Sequence, residues 1–195
     1  SLFVNGRGFY LRTGNYIYHN QPNNKSPFWE KEIFPDNHSN IAPGKNGLFA
    51  YDYHQGQFRQ KINGSGEWSP IYESFQLKGI IGVVETSGGT VFIGSNNRLF
   101  KSTNRGKTWK PLLTGGWVMK IVESNGVLMA TGQGGILRST DGGENWKLVF
   151  ENKTKGMFLD AMEFWNEQSG IVIGDPIDGR FFIARTFDGG SSWQD

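Results

Sequence analysis

Ser139-Thr140-Asp141-Gly142-Gly143-Glu144-Asn145-Trp146 is the stretch whose reading decides the fold. Its frame, Ser-x-Asp-x-Gly-x-x-Trp, recurs as Ser102-x-Asn104-x-Gly106-x-x-Trp109 and as Thr186-x-Asp188-x-Gly190-x-x-Trp193. Two looser versions lie upstream, Pro22-x-Asn24-x-Ser26-x-x-Trp29 and Lys61-x-Asn63-x-Ser65-x-x-Trp68. Successive tryptophans stand 39, 41, 37 and 47 residues apart. Repetition at that period points to a solenoid, an array or a propeller before any other architecture. Each part of the frame has a physical task. A short Asp or Asn side chain accepts hydrogen bonds from amides just downstream, and a Ser or Thr hydroxyl does so more weakly. Glycine supplies a positive φ. The tryptophan buries a large ring beside the turn while its indole N–H still seeks a partner.

A second marker sets the register. Asn5-Gly6, Asn46-Gly47, Gly88-Gly89, Asn125-Gly126 and Ser169-Gly170 each precede a tryptophan by 21 to 24 residues. Such dipeptides between apolar runs are hairpin signals. The unit is therefore four strands, with this turn joining the first two and the Asp-containing turn joining the last two. Five units follow, at about 1–35, 36–74, 75–114, 115–153 and 154–195, within one all-β domain. The fifth stops before an outer strand, so either that blade is three-stranded or a larger ring continues. Val127-Leu128-Met129-Ala130 suits a strand buried on both faces. Lys101, Arg138 and Arg185 occupy equivalent third-strand positions and read as blade-surface charges.

The repeated frame resembles the Asp-box, or BNR repeat, and the resemblance implies a β-propeller of five blades. In families carrying it, the box joins the third and fourth strands and faces away from the usual ligand site. Residues 80–195 are similar to BNR-repeat proteins related to the photosystem II assembly and stability factor family. The likeness is clearest in Phe158-Leu159-Asp160-Ala161-Met162-Glu163-Phe164-Trp165 and in Gly174-Asp175-Pro176-Ile177-Asp178-Gly179-Arg180-Phe181. Residues 1–79 match that family poorly. Their Tyr16-Ile17-Tyr18, Pro22 and Trp29, like Gly115-Gly116-Trp117, resemble the repeats of tachylectin, a five-bladed lectin. Larger members of the BNR group have about seven blades, so five repeats imply a small ring or part of a larger one.

Composition narrows the function classes. A chain of 195 residues can bury a substantial core. A formal net charge of +2 without a Lys/Arg run argues against a nucleic-acid partner. The absence of cysteine excludes disulfides and thiolate metal sites. No apolar stretch approaches the ~20 residues of a transmembrane helix. The sequence opens at Ser1 rather than Met, as a processed protein or a fragment would, and the expected setting is secreted or periplasmic. Asn24, Asn37, Asn63 and Asn152 head Asn-x-Ser/Thr triplets at about the frequency chance supplies.

In propellers the loops joining second to third strands share a face with the connections between blades, and ligands usually bind there. The first kind of loop holds Asp52, Tyr53, His54, Asn97, Arg98, Gln133, Asp175, Asp178 and Arg180, and the second kind holds Trp117 and Asp36-Asn37-His38. Asp175, Asp178 and Arg180 form the densest charged group, although Asp-Pro and Asp-Gly are also turn formers. Asp52 and His54 lack a nucleophile motif, and no histidine spacing suits zinc. Trp117 and Trp165 read as packing residues between blades, with sugar stacking the alternative.

Sialidases also carry Asp-boxes, and their chemistry needs an arginine triad, a Tyr/Glu nucleophile pair and an Asp acid. Their Phe/Tyr-Arg-Ile-Pro start is absent, and Phe182-Ile183-Ala184-Arg185 does not replace it. No Gly-x-Gly-x-x-Gly opens a helix, so no dinucleotide cofactor is expected. The expectation is a non-enzymatic scaffold presenting loops to a protein or peptide. A glycan-binding propeller is the alternative, and a sialidase-like hydrolase a more distant one.

Overall fold

The computed structural model describes residues 2–5, 8–20, 25, 28–34, 39–62, 67–71, 79–114 and 116–195. Among them every regular element is a strand, β1 to β19, and each sheet is built from strands consecutive in the chain and paired antiparallel. The first sheet is β1 (Leu2–Asn5), β2 (Gly8–Thr13), β3 (Tyr16–Asn20) and β4 (Glu30–Ile33). The second is β5 (Asn40–Gly44), β6 (Gly47–Tyr51), β7 (Phe58–Ile62) and the short β8 (Ser69–Pro70). Then come β9 (Ile80–Glu85), β10 (Val91–Ser95), β11 (Arg98–Ser102) and β12 (Lys110–Thr114). The fourth sheet is β13 (Val118–Ser124), β14 (Val127–Gly132), β15 (Gly135–Ser139) and β16 (Lys147–Glu151). The fifth is β17 (Leu159–Phe164), β18 (Gly170–Ile177) and β19 (Arg180–Thr186). These are the five blades, the last without a full outer strand.

The chain forms two compact units, Ser1–Lys78 with the first two sheets and Gly79–Asp195 with the other three. The degenerate box residues Pro22, Asn24, Ser26, Asn63 and Ser65, and the Asp36-Asn37-His38 connection, lie outside the described residues. No helix among the described residues is long and apolar enough to cross a membrane.

The complete boxes are hydrogen-bonded turns. In the fourth blade Gly143 N donates to Ser139 Oγ (2.9 Å), Glu144 N and Asn145 N donate to Asp141 Oδ1 (3.1 and 3.0 Å), and Trp146 Nε1 donates to Gly143 O (3.0 Å). The fifth blade repeats the arrangement through Gly190 N to Thr186 Oγ1 (2.9 Å) and Ser192 N to Asp188 Oδ1 (2.9 Å). In the third, Gly106 N and Thr108 N donate to Ser102 Oγ (2.8 Å) and Asn104 Oδ1 (2.9 Å). Ser102, Ser139 and Thr186 are all buried, so their hydroxyls satisfy an amide that water cannot reach.

In Gly79–Asp195 each blade packs on the next through one repeated face. The first strands β9, β13 and β17 are neighbours, and β10 and β14 each touch the first strand of the following blade. Leu99 of the third blade joins Val118, Ile121 and Leu128 of the fourth in one buried cluster. Ile136 of the fourth joins Leu159, Met162 and Val172 of the fifth in another. The box glycine closes each seam: a Cβ on Gly143 would come within 2.6 Å of the Phe92 ring, and one on Gly190 would overlap Met129. Glycine is required there by space as well as by φ.

The burial expected of Val127-Leu128-Met129-Ala130 is met and extends to the other second strands: β6 and β10 are buried at every residue and β14 at all but one, whereas β9 and β13 are buried only in part. Flanking strands cover β6, β10 and β14 on both edges. Several expectations need correction. Trp29 is 39 % exposed and meets Phe9 at 6.5 Å, so the first tryptophan is not a core residue. Trp165 is 58 % exposed on the β17–β18 turn and is not packing between blades. That turn is closed by Asn166, whose Oδ1 accepts from Gln168 N and Ser169 N, and Gly170 already belongs to β18. Lys101 and Arg138 are not plain surface charges. Lys101 Nζ donates to Gly142 O (2.7 Å) and pairs with Glu144 (2.6 Å) on the following blade, and Arg138 Nε donates to Gly189 O (3.2 Å) on the one after. The fifth blade has begun an outer strand, since Arg185 and Gln194 exchange both backbone hydrogen bonds (2.7 and 2.8 Å).

Candidate functional site

In an antiparallel blade the turns between second and third strands lie at the end opposite the boxes. In the fourth blade that turn is Gln133-Gly134, between β14 and β15. Asn152 ties it down: its N donates to Gly134 O (3.2 Å) and its Nδ2 to Gln133 O (3.3 Å) and Met157 O (2.7 Å). The backbone around the turn is tightly threaded, since a Cβ on Gly132 would strike Trp117 O and one on Gly135 would strike Phe150 O.

Beside this turn lies a cleft of about 450 Å³ lined by Arg98, Trp117, Gln133, Leu137 and Leu148, with the Gly132–Gly135 backbone. It brings together three of the residues singled out in the sequence: Arg98 from the third blade, Trp117 from the connection between blades, and Gln133 from the fourth. Arg98 is exposed and Trp117 half-buried. The Trp117 ring stands edge-on to Phe158, at 5.7 Å and 82°. The lining combines an apolar floor, one cation, an amide and backbone groups on a constrained loop. Such a mixture can orient a ligand through a few polar contacts while burying apolar surface.

The other singled-out residues fall elsewhere. Asn97 sits in the β10–β11 turn, where Ser95 Oγ accepts from Arg98 N (3.1 Å) and donates weakly to Asn97 Oδ1 (3.4 Å). Asp175 is engaged locally: its Oδ2 accepts from Phe158 N (2.9 Å) and its own amide donates to Phe158 O (3.0 Å). Burial, and then the charge of Asp175, raise the pKa of Asp160. Asp178 (φ 50) and Gly179 (φ 76) form the left-handed pair of a two-residue turn, so Asp178 and the exposed Arg180 stand on the β18–β19 hairpin rather than in the cleft.

Asp52, Tyr53 and His54 belong to the Ser1–Lys78 unit. Asp52 is buried and accepts from Gln55 N (2.5 Å), while Tyr53 and His54 meet edge to face at 5.0 Å. No group of three or more His, Cys, Asp or Glu able to hold a metal occurs among the described residues. The sequence reading missed Leu137, Leu148 and Asn152. The two leucines carry no local signal, because only the pairing of β15 with β16 sets them side by side. Asn152 was visible only as an Asn-x-Thr triplet.

Comparison with known proteins bears on the fold. The model of the BNR/Asp-box repeat matches residues 137–148. No curated protein matches the chain. Among solved structures, YCF48 bound to D1 peptide is similar with a TM-score of 0.73 at 17% identity, covering 95% of this chain and 63% of that one. YCF48 from Cyanidioschyzon merolae gives 0.65 at 17% identity, covering 93% and 66%. An ancestral GH74 enzyme gives 0.71 at 15% identity, covering 100% of this chain but 30% of that one. The chain thus spans less than two thirds of the length of these structures. The chain is all-β, carries a BNR/Asp-box repeat at residues 137–148, and is similar in fold to YCF48.

Proposed function

We infer that the chain is a binding module that takes a segment of a protein partner in the cleft beside the Gln133-Gly134 turn. The observation that carries this reading is the convergence of Arg98, Trp117 and Gln133 from separate segments on one half-apolar cleft. An extended peptide presents alternating side chains and unpaired backbone groups. The apolar wall of Trp117, Leu137 and Leu148 suits the first, and Gln133 with the constrained loop suits the second. Arg98 adds preference for a segment bearing a carboxylate. The likeness to YCF48 bound to D1 peptide supports a peptide ligand, and the cleft is where this chain would hold one. Catalysis has no comparable support, because no carboxylate among the described residues lines the cleft.

The test is a random-peptide array and a glycan array probed in parallel with the purified chain and with Arg98→Ala, Gln133→Ala and Trp117→Ala. Folding of each variant is checked by far-UV circular dichroism. Peptides should be retained at micromolar affinity, and Arg98→Ala or Trp117→Ala should weaken them about tenfold, which is about 1.4 kcal/mol. Retention of a defined sugar in place of peptides would transfer the cleft to a glycan. Peptide binding indifferent to all three substitutions would remove the cleft from consideration.

A further inference from the structure

Strand register sets the Gln133-Gly134 turn apart from its counterparts. Ser95 pairs with Ile80, Gly132 with Val118 and Gly174 with Leu159. Asn96, Gln133 and Asp175 are therefore equivalent, and so are Gly79, Trp117 and Phe158. In the third blade Asn96 N donates to Gly79 O (3.1 Å), and in the fifth Asp175 N donates to Phe158 O (3.0 Å). The fourth blade lacks the matching bond. Gln133 N has no acceptor among the described residues, and neither has Gly134 N. The two carbonyls of this turn are committed instead, Gln133 O to Asn152 Nδ2 (3.3 Å) and Gly134 O to Asn152 N (3.2 Å). Asn152 Oδ1 accepts from Thr154 N (3.0 Å), which fixes the end of the side-chain amide that meets the turn.

Both spare amides belong to the side of the turn that the cleft occupies. The bonds in the third and fifth blades run toward the position held here by Trp117, and Trp117 lines the cleft. Within one trans peptide unit the N–H and C=O point in opposite directions. Gln133 O is turned to Asn152, which does not line the cleft, so the Gly134 N–H of the same unit faces the other way. Gly134 lies outside the left-handed region, and a Cβ there would meet nothing within 4 Å. Neither strain nor crowding asks for glycine at that position, and its bare backbone leaves the amide uncovered. Arg98 is exposed on the third blade, and its guanidinium has no acceptor among the described residues.

We propose that the Gln133 and Gly134 amides and the Arg98 guanidinium form an anchor for a carboxylate, and that Asn152 is the positioning residue that gives the turn this polarity by occupying its carbonyls. The inference rests on the binding reading above and names the group by which a ligand would be held. A carboxylate only accepts, and bonds from backbone amides and a guanidinium to it are charge-assisted. An ammonium group would meet backbone donors in place of acceptors.

The test uses acetate as the smallest carboxylate, titrated into the isotope-labelled chain and followed by amide NMR, with sodium chloride and methylammonium chloride at equal ionic strength as controls. The Gln133 and Gly134 amide protons should move downfield and saturate in acetate, and stay in place in both controls. Asn152→Asp sets an anionic oxygen where Nδ2 stood and frees the turn carbonyls, so acetate should bind about tenfold more weakly. In that variant methylammonium should begin to shift the Gly135 amide, a change of ion preference that mere loosening of the turn would not produce. Arg98→Ala, at an exposed position, should also weaken acetate about tenfold and serves where Asn152→Asp fails to fold. Any peptide retained on the array should lose about tenfold on exchange of its Glu for Gln or on amidation of its C-terminus, and whichever change does so identifies the source of the carboxylate. Acetate shifts without any retained peptide would uphold the anchor and remove the peptide reading. Amide shifts that are absent, or equal in acetate and chloride, would overturn the anchor, and so would retained peptides indifferent to both changes.

Discussion

Ser139 and Thr186 show how much of a repeat depends on one hydroxyl oxygen. Each is buried, and each accepts the amide of the box glycine at 2.9 Å while donating to its box aspartate at 2.8 Å. Removing the hydroxyl leaves a buried amide unpaired, so Thr186→Val should destabilise by about 1–3 kcal/mol in urea melts despite keeping shape. The tryptophans differ among themselves. Trp193 is 8 % exposed and set edge-on to Phe164 at 5.9 Å. Trp193→Ala should cost about 3–5 kcal/mol, and Trp29→Ala less than about 1 kcal/mol, by the same measurement. The motif in the sequence announced five rings but not their depth, because depth depends on what stands opposite. Gly190 also carries a steric demand: Gly190→Ala should cost about 2 kcal/mol or more, and Met129→Ala in the same chain should restore part of it, since the added methyl meets the Met129 sulfur.

At the scale of strands, the hairpin signals located most elements to within a residue or two. Asn125-Gly126 is the clearest case: its φ values of 49 and 76 make the two-residue turn that joins β13 to β14. Ser169-Gly170 misled because Asn166 offers a side-chain oxygen that closes the turn earlier. The partners of Lys101 and Arg138 were invisible in the sequence. Seams join residues some 40 to 50 positions apart, as in Arg138 to Gly189 with a separation of 51, and no local pattern encodes that. The cleft was half legible: loop topology pointed to Arg98, Gln133 and Trp117, and the strand pairing that adds Leu148 became known only with coordinates.

For the molecule as a whole, the boxes set the response to acid. Hydrogen bonds from Asn145, with help from Ser139, hold the Asp141 carboxyl well below the usual carboxylate range. Lys101 and Lys110 pull Glu144 down to about 2, and Ser192 does the same for Asp188. Each folded pKa lies below its unfolded value. The stabilisation is therefore present above about pH 4 and is lost as pH falls through the folded values towards about 2. Melting temperature should decline across that window, and Asp141→Asn should flatten the decline by removing one of the titrating groups, as read by thermal melts in a pH series. Salt should weaken the Glu144 contribution first, because both its lysine partners reach it at an exposed site.

Every sheet among the described residues takes its strands from adjacent stretches of chain. Under tension applied at the two ends, such a chain should come apart as a series of separate events, each releasing about 40 residues of slack, on the order of 130 Å. A force-extension trace with teeth of that spacing would be the mechanical signature of the repeat.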